Sequence, residues 1–248
     1  MHPVVFENVR KFYGEKAALD GVSLSIPPNQ TTAIIGPSGS GKSTLLQLVN
    51  GLLAPDAGRV YVFGEEIDYG RLPGLRRRIG YAVQGTGLFP HLTVEKNITL
   101  LAWLARWERS EIETRLHELL ELVDLPRSYL SRYPHELSGG EQQRVGLCRA
   151  MMLKPSLVLL DEPFGALDPV TRSEIHREFL KLQKSETRTT LLVTHDLREA
   201  FKLADQIVIL HRGRVAQIGT RADVLRRPAN EFVQRFVHLQ LEDEIELE

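Results

Sequence analysis

From Thr31 to Val49 the chain passes through three kinds of residue in an order that few backbones accommodate. Thr31-Thr32-Ala33-Ile34-Ile35 is a short β-branched run, Gly36-Pro37-Ser38-Gly39-Ser40-Gly41-Lys42-Ser43-Thr44 is rich in glycine, and Leu45, Leu46, Leu48 and Val49 suit the buried stripe of a helix. Strand, glycine loop and helix in direct succession are the setting of the pattern G-x-x-x-x-G-K-[ST], whose backbone N–H groups cradle phosphates. A glycine-serine turn with a stray lysine would have neither flank. The physical demand is to hold a triphosphate better than water does. Glycines turn consecutive N–H groups inward as an anion nest, the helix starting near Lys42 adds its positive end, and Lys42 adds a full charge. Ser43 is placed to reach Mg²⁺. Binding of ATP or GTP is expected.

Leu157-Val158-Leu159-Leu160 runs straight into Asp161-Glu162, so two carboxylates stand where a buried strand reaches the edge of its sheet. Ligand crevices of parallel sheets lie there. Asp161 is expected to hold Mg²⁺ through water, and Glu162 to face the γ-phosphate, orienting or deprotonating an attacking water. His195 ends a second such strand, Leu191-Leu192-Val193-Thr194, and is a candidate hydrogen-bond partner of the γ-phosphate. Leu137-Ser138-Gly139-Gly140-Glu141-Gln142-Gln143-Arg144 opens an apolar helix with a serine and paired glycines, a further phosphate-binding pattern.

With 248 residues and 42% hydrophobic content the chain is long enough for one domain with a lobe or two small domains, and a net charge of −1 leaves no basic excess for a nucleic acid backbone. Nucleic acid is therefore not an expected partner. The single Cys148 cannot form an internal disulfide, it falls among apolar neighbours as a small buried filler, and residues 1 to 30 carry no leader pattern, so a reducing cytoplasmic setting is expected. No apolar stretch approaches the roughly 18 residues that span a bilayer; Ile98 to Ala105 is closed by Trp107-Glu108-Arg109. Any membrane role is expected to be peripheral. Strand patterns at residues 4–35 and 58–67 predict an antiparallel sheet beside the loop, and helical spacing from Val94 to Tyr133 predicts a helical lobe, with a capping box at Ser110-Glu111-Ile112-Glu113. After Ser138 helices alternate with apolar strands, which implies a parallel sheet covered on both faces. The expected organisation is a core of residues 1–92 and 138–240, a helical subdomain at 93–137 and an acidic tail at 241–248.

The order and spacing of these motifs resemble ATP-binding cassette (ABC) ATPases over nearly the whole chain. The resemblance implies an α/β P-loop NTPase fold with a parallel sheet core, an antiparallel β subdomain and a helical subdomain. It implies that adenine stacks on Tyr13, that Gln84 senses Mg²⁺ and a transmembrane partner, that Asp168 in Gly165-Ala166-Leu167-Asp168 is the D-loop aspartate, and that His195 is the switch histidine. ATP and Mg²⁺ are the implied cofactors; Ser43, Gln84 and Asp161 are the implied metal-holding residues, and Glu162, His195, Lys42 and Gln84 the implied catalytic ones. Two copies would face head to tail, Ser138, Gly139 and Gly140 of one meeting the γ-phosphate held by Gly36 to Thr44 of the other.

At a finer level Ile79-Gly80-Tyr81-Ala82-Val83-Gln84, Gly87-Leu88-Phe89-Pro90-His91, Arg132-Tyr133-Pro134-His135-Glu136-Leu137, Asp161-Glu162-Pro163-Phe164-Gly165-Ala166-Leu167-Asp168-Pro169 and Arg227-Pro228-Ala229-Asn230-Glu231-Phe232-Val233 look like the ATPase subunits of bacterial osmoprotectant importers for glycine betaine, choline or carnitine. Permease subunits, an indirectly coupled solute-binding protein and a place on the cytoplasmic side of the cell membrane follow from that resemblance. An importer or exporter of another small solute, or a cassette used without transport, are the alternatives. Two departures stand against the resemblance: Asn50-Gly51, where many relatives have arginine after the asparagine, and Gly85-Thr86 after Gln84, on a surface expected to meet the permease.

Overall fold

The computed structural model describes residues 1–165 and 167–241. The expected acidic tail from Glu242 on, and Ala166 before Asp168, lie outside the described residues. The chain first runs through β1 (Val4–Tyr13), β2 (Lys16–Ile26), β3 (Thr31–Ile35), α1 (Lys42–Val49), β4 (Ala57–Val62) and β5 (Glu65–Glu66). It continues with α2 (Leu72–Arg77), β6 (Ile79–Ala82), α3 (Val94–Leu104), α4 (Arg109–Leu122), α5 (Gly139–Met151), β7 (Leu157–Asp161) and α6 (Pro169–Ser185). Last come β8 (Thr189–Val193), α7 (Leu197–Leu203), β9 (Gln206–His211), β10 (Arg214–Gly219), α8 (Arg221–Arg226) and α9 (Glu231–Leu241). Two compact units result: residues Met1–Leu72 together with those from Thr189 on, and residues Pro73–Arg188.

In the first unit β3 pairs in parallel with both β8 and β9, and β10 closes antiparallel on β9. Every residue of β3 and β8 is buried, as expected of parallel strands covered on both faces. Ala33, Ile35, Ile207 and Ile209 meet Leu197, Ala200, Val224, Val233 and Val237 from α7, α8 and α9 in one apolar cluster. A separate antiparallel sheet runs in the order β2-β1-β4-β5. Its alternation is visible along β2, where Val22, Leu24 and Ile26 are buried and Ser23 and Ser25 exposed. β10, α8 and α9 add to the expected elements; α8 has only six residues, too few for a helical period to stand out.

In the second unit β6 lies parallel to β7, Ile79 opposite Leu157 through Ala82 opposite Leu160. The helical lobe is present, with α3 packed on α4 and α5 and Ile98, Leu116, Leu119, Val145 and Cys148 buried. Its second helix starts two residues before the expected capping box. The Glu111 carboxylate accepts the N–H of Glu108 at 3.1 Å, while Glu113 pairs with Arg109 at 2.8 Å. Glu108 therefore takes the cap position that the sequence assigned to Ser110, because Arg109 and Ser110 already fit the first turn. Among the described residues no helix is long and apolar enough to cross a membrane.

Candidate active site

Two pairs of parallel strands deliver the motif residues. In the first unit Ile34 lies opposite Val193; two residues beyond them stand Gly36, which opens the glycine loop, and His195. Thr194 N–H donates to Ile34 O at 3.2 Å and holds the strand ends together. Asp196 then caps α7, accepting from the N–H groups of Arg198 and Glu199 at 2.8 and 3.2 Å. His195 is left exposed on the turn between β8 and α7.

The loop itself is built for an anion. Gly39 and Gly41 have φ of 75° and 103°, the conformations that let successive N–H groups face one concavity. A Cβ on Gly41 would lie 2.4 Å from Ala18 O and 2.7 Å from Leu19 Cδ2, so β2 runs directly against the loop. Ser40 is 3% exposed, and its Oγ has no hydrogen-bond partner among the described residues. Lys42, 7% exposed, donates from Nζ to Gly36 O at 2.9 Å and Pro37 O at 3.1 Å. Its ammonium thus folds back over the loop, within reach of a phosphate seated there. Ser43 and Thr44 follow in the first turn of α1, Ser43 half-buried and Thr44 buried.

Tyr13 ends β1 opposite Lys16 across the Gly14-Glu15 turn and is 51% exposed, an open aromatic face. Lys16 Nζ lies 3.9 Å from where a Cβ on Gly39 would be, so this hairpin stands beside the loop and brings a second ammonium to it. Lys16 carries no motif of its own; only its register across a two-residue turn from Tyr13 could have pointed to it.

The second unit repeats the geometry of paired strand ends. Two residues beyond the Ala82–Leu160 pair stand Gln84 and Glu162, whose side chains meet: Gln84 Nε2 donates to Glu162 Oε2 at 3.5 Å. Glu162 has φ of 47°, a left-handed conformation uncommon for a residue with a side chain and characteristic of sites where position matters more than local ease. Asp161 is 4% exposed. Burial, followed by the Asp161 charge, pushes the neighbouring Tyr81 hydroxyl up to about 12.

Ser138 caps α5: its Oγ accepts from Glu141 N–H at 3.3 Å, and the Glu141 carboxylate accepts from Ser138 N–H at 2.7 Å. Ser138 and Gly139 are exposed and Gly140 buried, with a Cβ on Gly140 falling 2.4 Å from Thr171 Cγ2 of α6. Asp168 caps α6, accepting the N–H groups of Val170 and Thr171, each at 3.1 Å. Hydrogen bonds from the Thr171 hydroxyl and amide hold its carboxyl below the usual carboxylate range. The site residues thus form two sets, Tyr13, Gly36 to Thr44 and His195 in one unit, and Gln84, Ser138 to Gly140, Asp161, Glu162 and Asp168 in the other.

The family model described as ABC transporter matches residues 19–165. The chain belongs to the ABC transporter family. Among ABC proteins it is 49% identical over 94% of its length to the choline transport ATP-binding protein OpuBA of Bacillus subtilis. It is 49% identical over 93% to the glycine betaine/carnitine/choline transport ATP-binding protein OpuCA of the same organism. The chain spans 62% and 61% of the length of these two relatives. Among solved ABC structures, the ATP-binding cassette MJ0796, dimeric in a post-hydrolysis state with ADP and Pi, superposes with a TM-score of 0.79 at 34% identity, covering 88% of this chain and 98% of that one. The fold is that of an ABC ATPase, a P-loop NTPase with parallel strands, an antiparallel sheet and helices.

Proposed function

We propose that this chain is the ATP-hydrolysing subunit of an ABC importer, closing on a second copy of itself around two ATP molecules to drive uptake of an osmoprotectant such as glycine betaine, choline or carnitine. The observation that carries the ATP chemistry is the glycine loop, with its positive-φ glycines, its buried Ser40 oxygen and Lys42 folded over it. The solute class rests on the identity to OpuBA and OpuCA, and the pairing of copies on the dimeric MJ0796 cassette. Transmembrane permease subunits, served by a solute-binding protein, would place the chain at the cytoplasmic face of the cell membrane.

In this reading Tyr13 stacks on adenine, and the residues from Gly36 to Thr44 hold the phosphates. Mg²⁺ binds through one or two protein oxygens plus substrate phosphates. Ser43, Asp161 and Gln84 are the residues that would hold it, and when bound it would neutralise charge developing on the phosphates. Glu162 takes the proton of the attacking water, Gln84 steadies that carboxylate, and His195 hydrogen-bonds the γ-phosphate. Ser138, Gly139, Gly140 and Asp168 serve the ATP held by the partner copy. Residues 93–137 form the helical lobe which, with the Gln84 segment, meets the permease.

Replacing Glu162 with Gln keeps size and removes the base. General-base catalysis contributes about 10²–10⁴ in rate, so Glu162→Gln is expected to lose at least that lower factor while an ATP-bound dimer accumulates on size exclusion. Turnover near that of the unaltered chain would overturn the assignment. Co-purification with permease subunits from gently solubilised membranes, followed by uptake of labelled choline in vesicles, tests the transport reading separately.

A further inference from the structure

The segment after Gln84, unusual in sequence at Gly85-Thr86, is fastened to the signature helix. Arg149, late in α5, donates from Nη1 to Gly87 O at 2.8 Å and from Nη2 to Thr86 O at 3.3 Å. Thr86 Oγ1 in turn donates to Gln142 Oε1 at 3.3 Å, one turn into the same helix. Gln142 also donates from Nε2 to Leu137 O at 3.2 Å, tying this contact back to the residue before the Ser138 cap. The Arg149 guanidinium stands 6.0 Å from the Phe89 ring. Phe89 is itself held on α3, donating its N–H to Asn97 Oδ1 at 2.8 Å and accepting from Asn97 Nδ2 at 3.1 Å.

Arg149 has no acidic partner among the described residues, so its hydrogen bonds go to two backbone carbonyls of one loop. A guanidinium is a planar, permanently charged fork, and its charge-assisted bonds are about twice as strong as neutral ones. A loop held in this way cannot move without either moving α5 or breaking these bonds.

We propose that Arg149, assisted by Gln142, is the positioning residue for Gln84: it fixes the loop from Gln84 to Phe89 on α5, so that the loop and the helix capped by Ser138 move as one element. This rests on the reading of Gln84 and Glu162 as parts of a Mg²⁺-ATP site. Arg149 touches neither nucleotide nor metal in that reading. It acts by keeping the Gln84 amide beside Glu162.

The experiment compares Arg149→Met, Arg149→Lys, Thr86→Val and Gln84→Ala in the full chain. Amide hydrogen exchange of Phe89, whose N–H at the end of the loop is held by Asn97 Oδ1, reads loosening of the loop without nucleotide or metal; Arg149→Met is expected to speed it at least tenfold, Arg149→Lys and Thr86→Val by less. Loss of outer partners of a metal site typically costs roughly 10–100-fold in metal affinity or activity. Arg149→Met is therefore expected to raise the Mg²⁺ concentration for half-maximal ATPase by about that factor, with metal-free ATP affinity unchanged within twofold and partial recovery in Arg149→Lys. Unaltered exchange would overturn the proposal, as would an unaltered Mg²⁺ dependence while Gln84→Ala shifts it. No Mg²⁺ effect from Gln84→Ala would overturn both this proposal and the underlying reading of Gln84. Should Arg149→Met fail to fold, Arg149→Lys and Thr86→Val carry the same comparison.

Discussion

Gly41 is where backbone conformation and surrounding space make the same demand. Its φ of 103° is unfavourable to any side chain, and a Cβ there would press into Ala18 O at 2.4 Å. Forced occupation of such a conformation costs about 1–3 kcal/mol before any clash is counted. Gly41→Ala is therefore expected to lower the thermal midpoint and weaken ATP binding together, measured by thermal unfolding with and without ATP. Cys148 makes the opposite case. It is fully buried, and burial pushes its thiol up to about 12, so almost no thiolate exists at neutral pH. Native protein is expected to resist iodoacetamide at pH 8 and to react once unfolded; rapid native labelling would contradict the burial. The glycine loop and the Asp161-Glu162 pair were legible in sequence because their constraints act between neighbours in the chain. The left-handed Glu162 and the neighbour Lys16 were not, since one depends on the turn that follows and the other on strand register.

At the scale of elements, apolar runs announced the strands from β1 to β4 and from β7 to β9, whereas ends and short pieces escaped notice. The start of α4 depended on which of several acidic side chains folded back on the chain, a choice made among near-equal candidates. Besides its buried leucines, a long-range contact with no local signature ties α4 into its unit. Arg115, 2% exposed, pairs with Glu186 through both terminal nitrogens and donates from Nη2 to Met151 O at 3.0 Å. Removing one member of a buried pair typically costs 3–5 kcal/mol. Because the Glu186 side chain remains 29% exposed, Arg115→Met is expected at the low end, roughly 3 kcal/mol by denaturant unfolding. Glu186 also pairs with the buried Arg188, so Glu186→Gln is expected to destabilise by itself, and the double mutant should lose less than the sum of the two single losses; a purely additive double mutant would show that the pair does not interact.

For the whole molecule, the proposed pairing of two copies makes one copy half of a catalyst. Ser138 and Gly139 lie exposed at the start of α5, an end that favours anions, while the glycine loop carries its own lysine. If each signature serves the loop of the other copy, Ser138→Arg should abolish hydrolysis yet leave ATP binding by each chain intact. Lys42→Ala should weaken binding itself. Mixing the two inactive variants then decides the geometry. In a mixed dimer one site combines an unaltered loop with an unaltered signature, and both lesions fall together in the other site. ATPase activity should reappear on mixing, approaching that of a single working site per mixed dimer. If each chain completed its own site, one lesion would remain in each and the mixture would stay inactive.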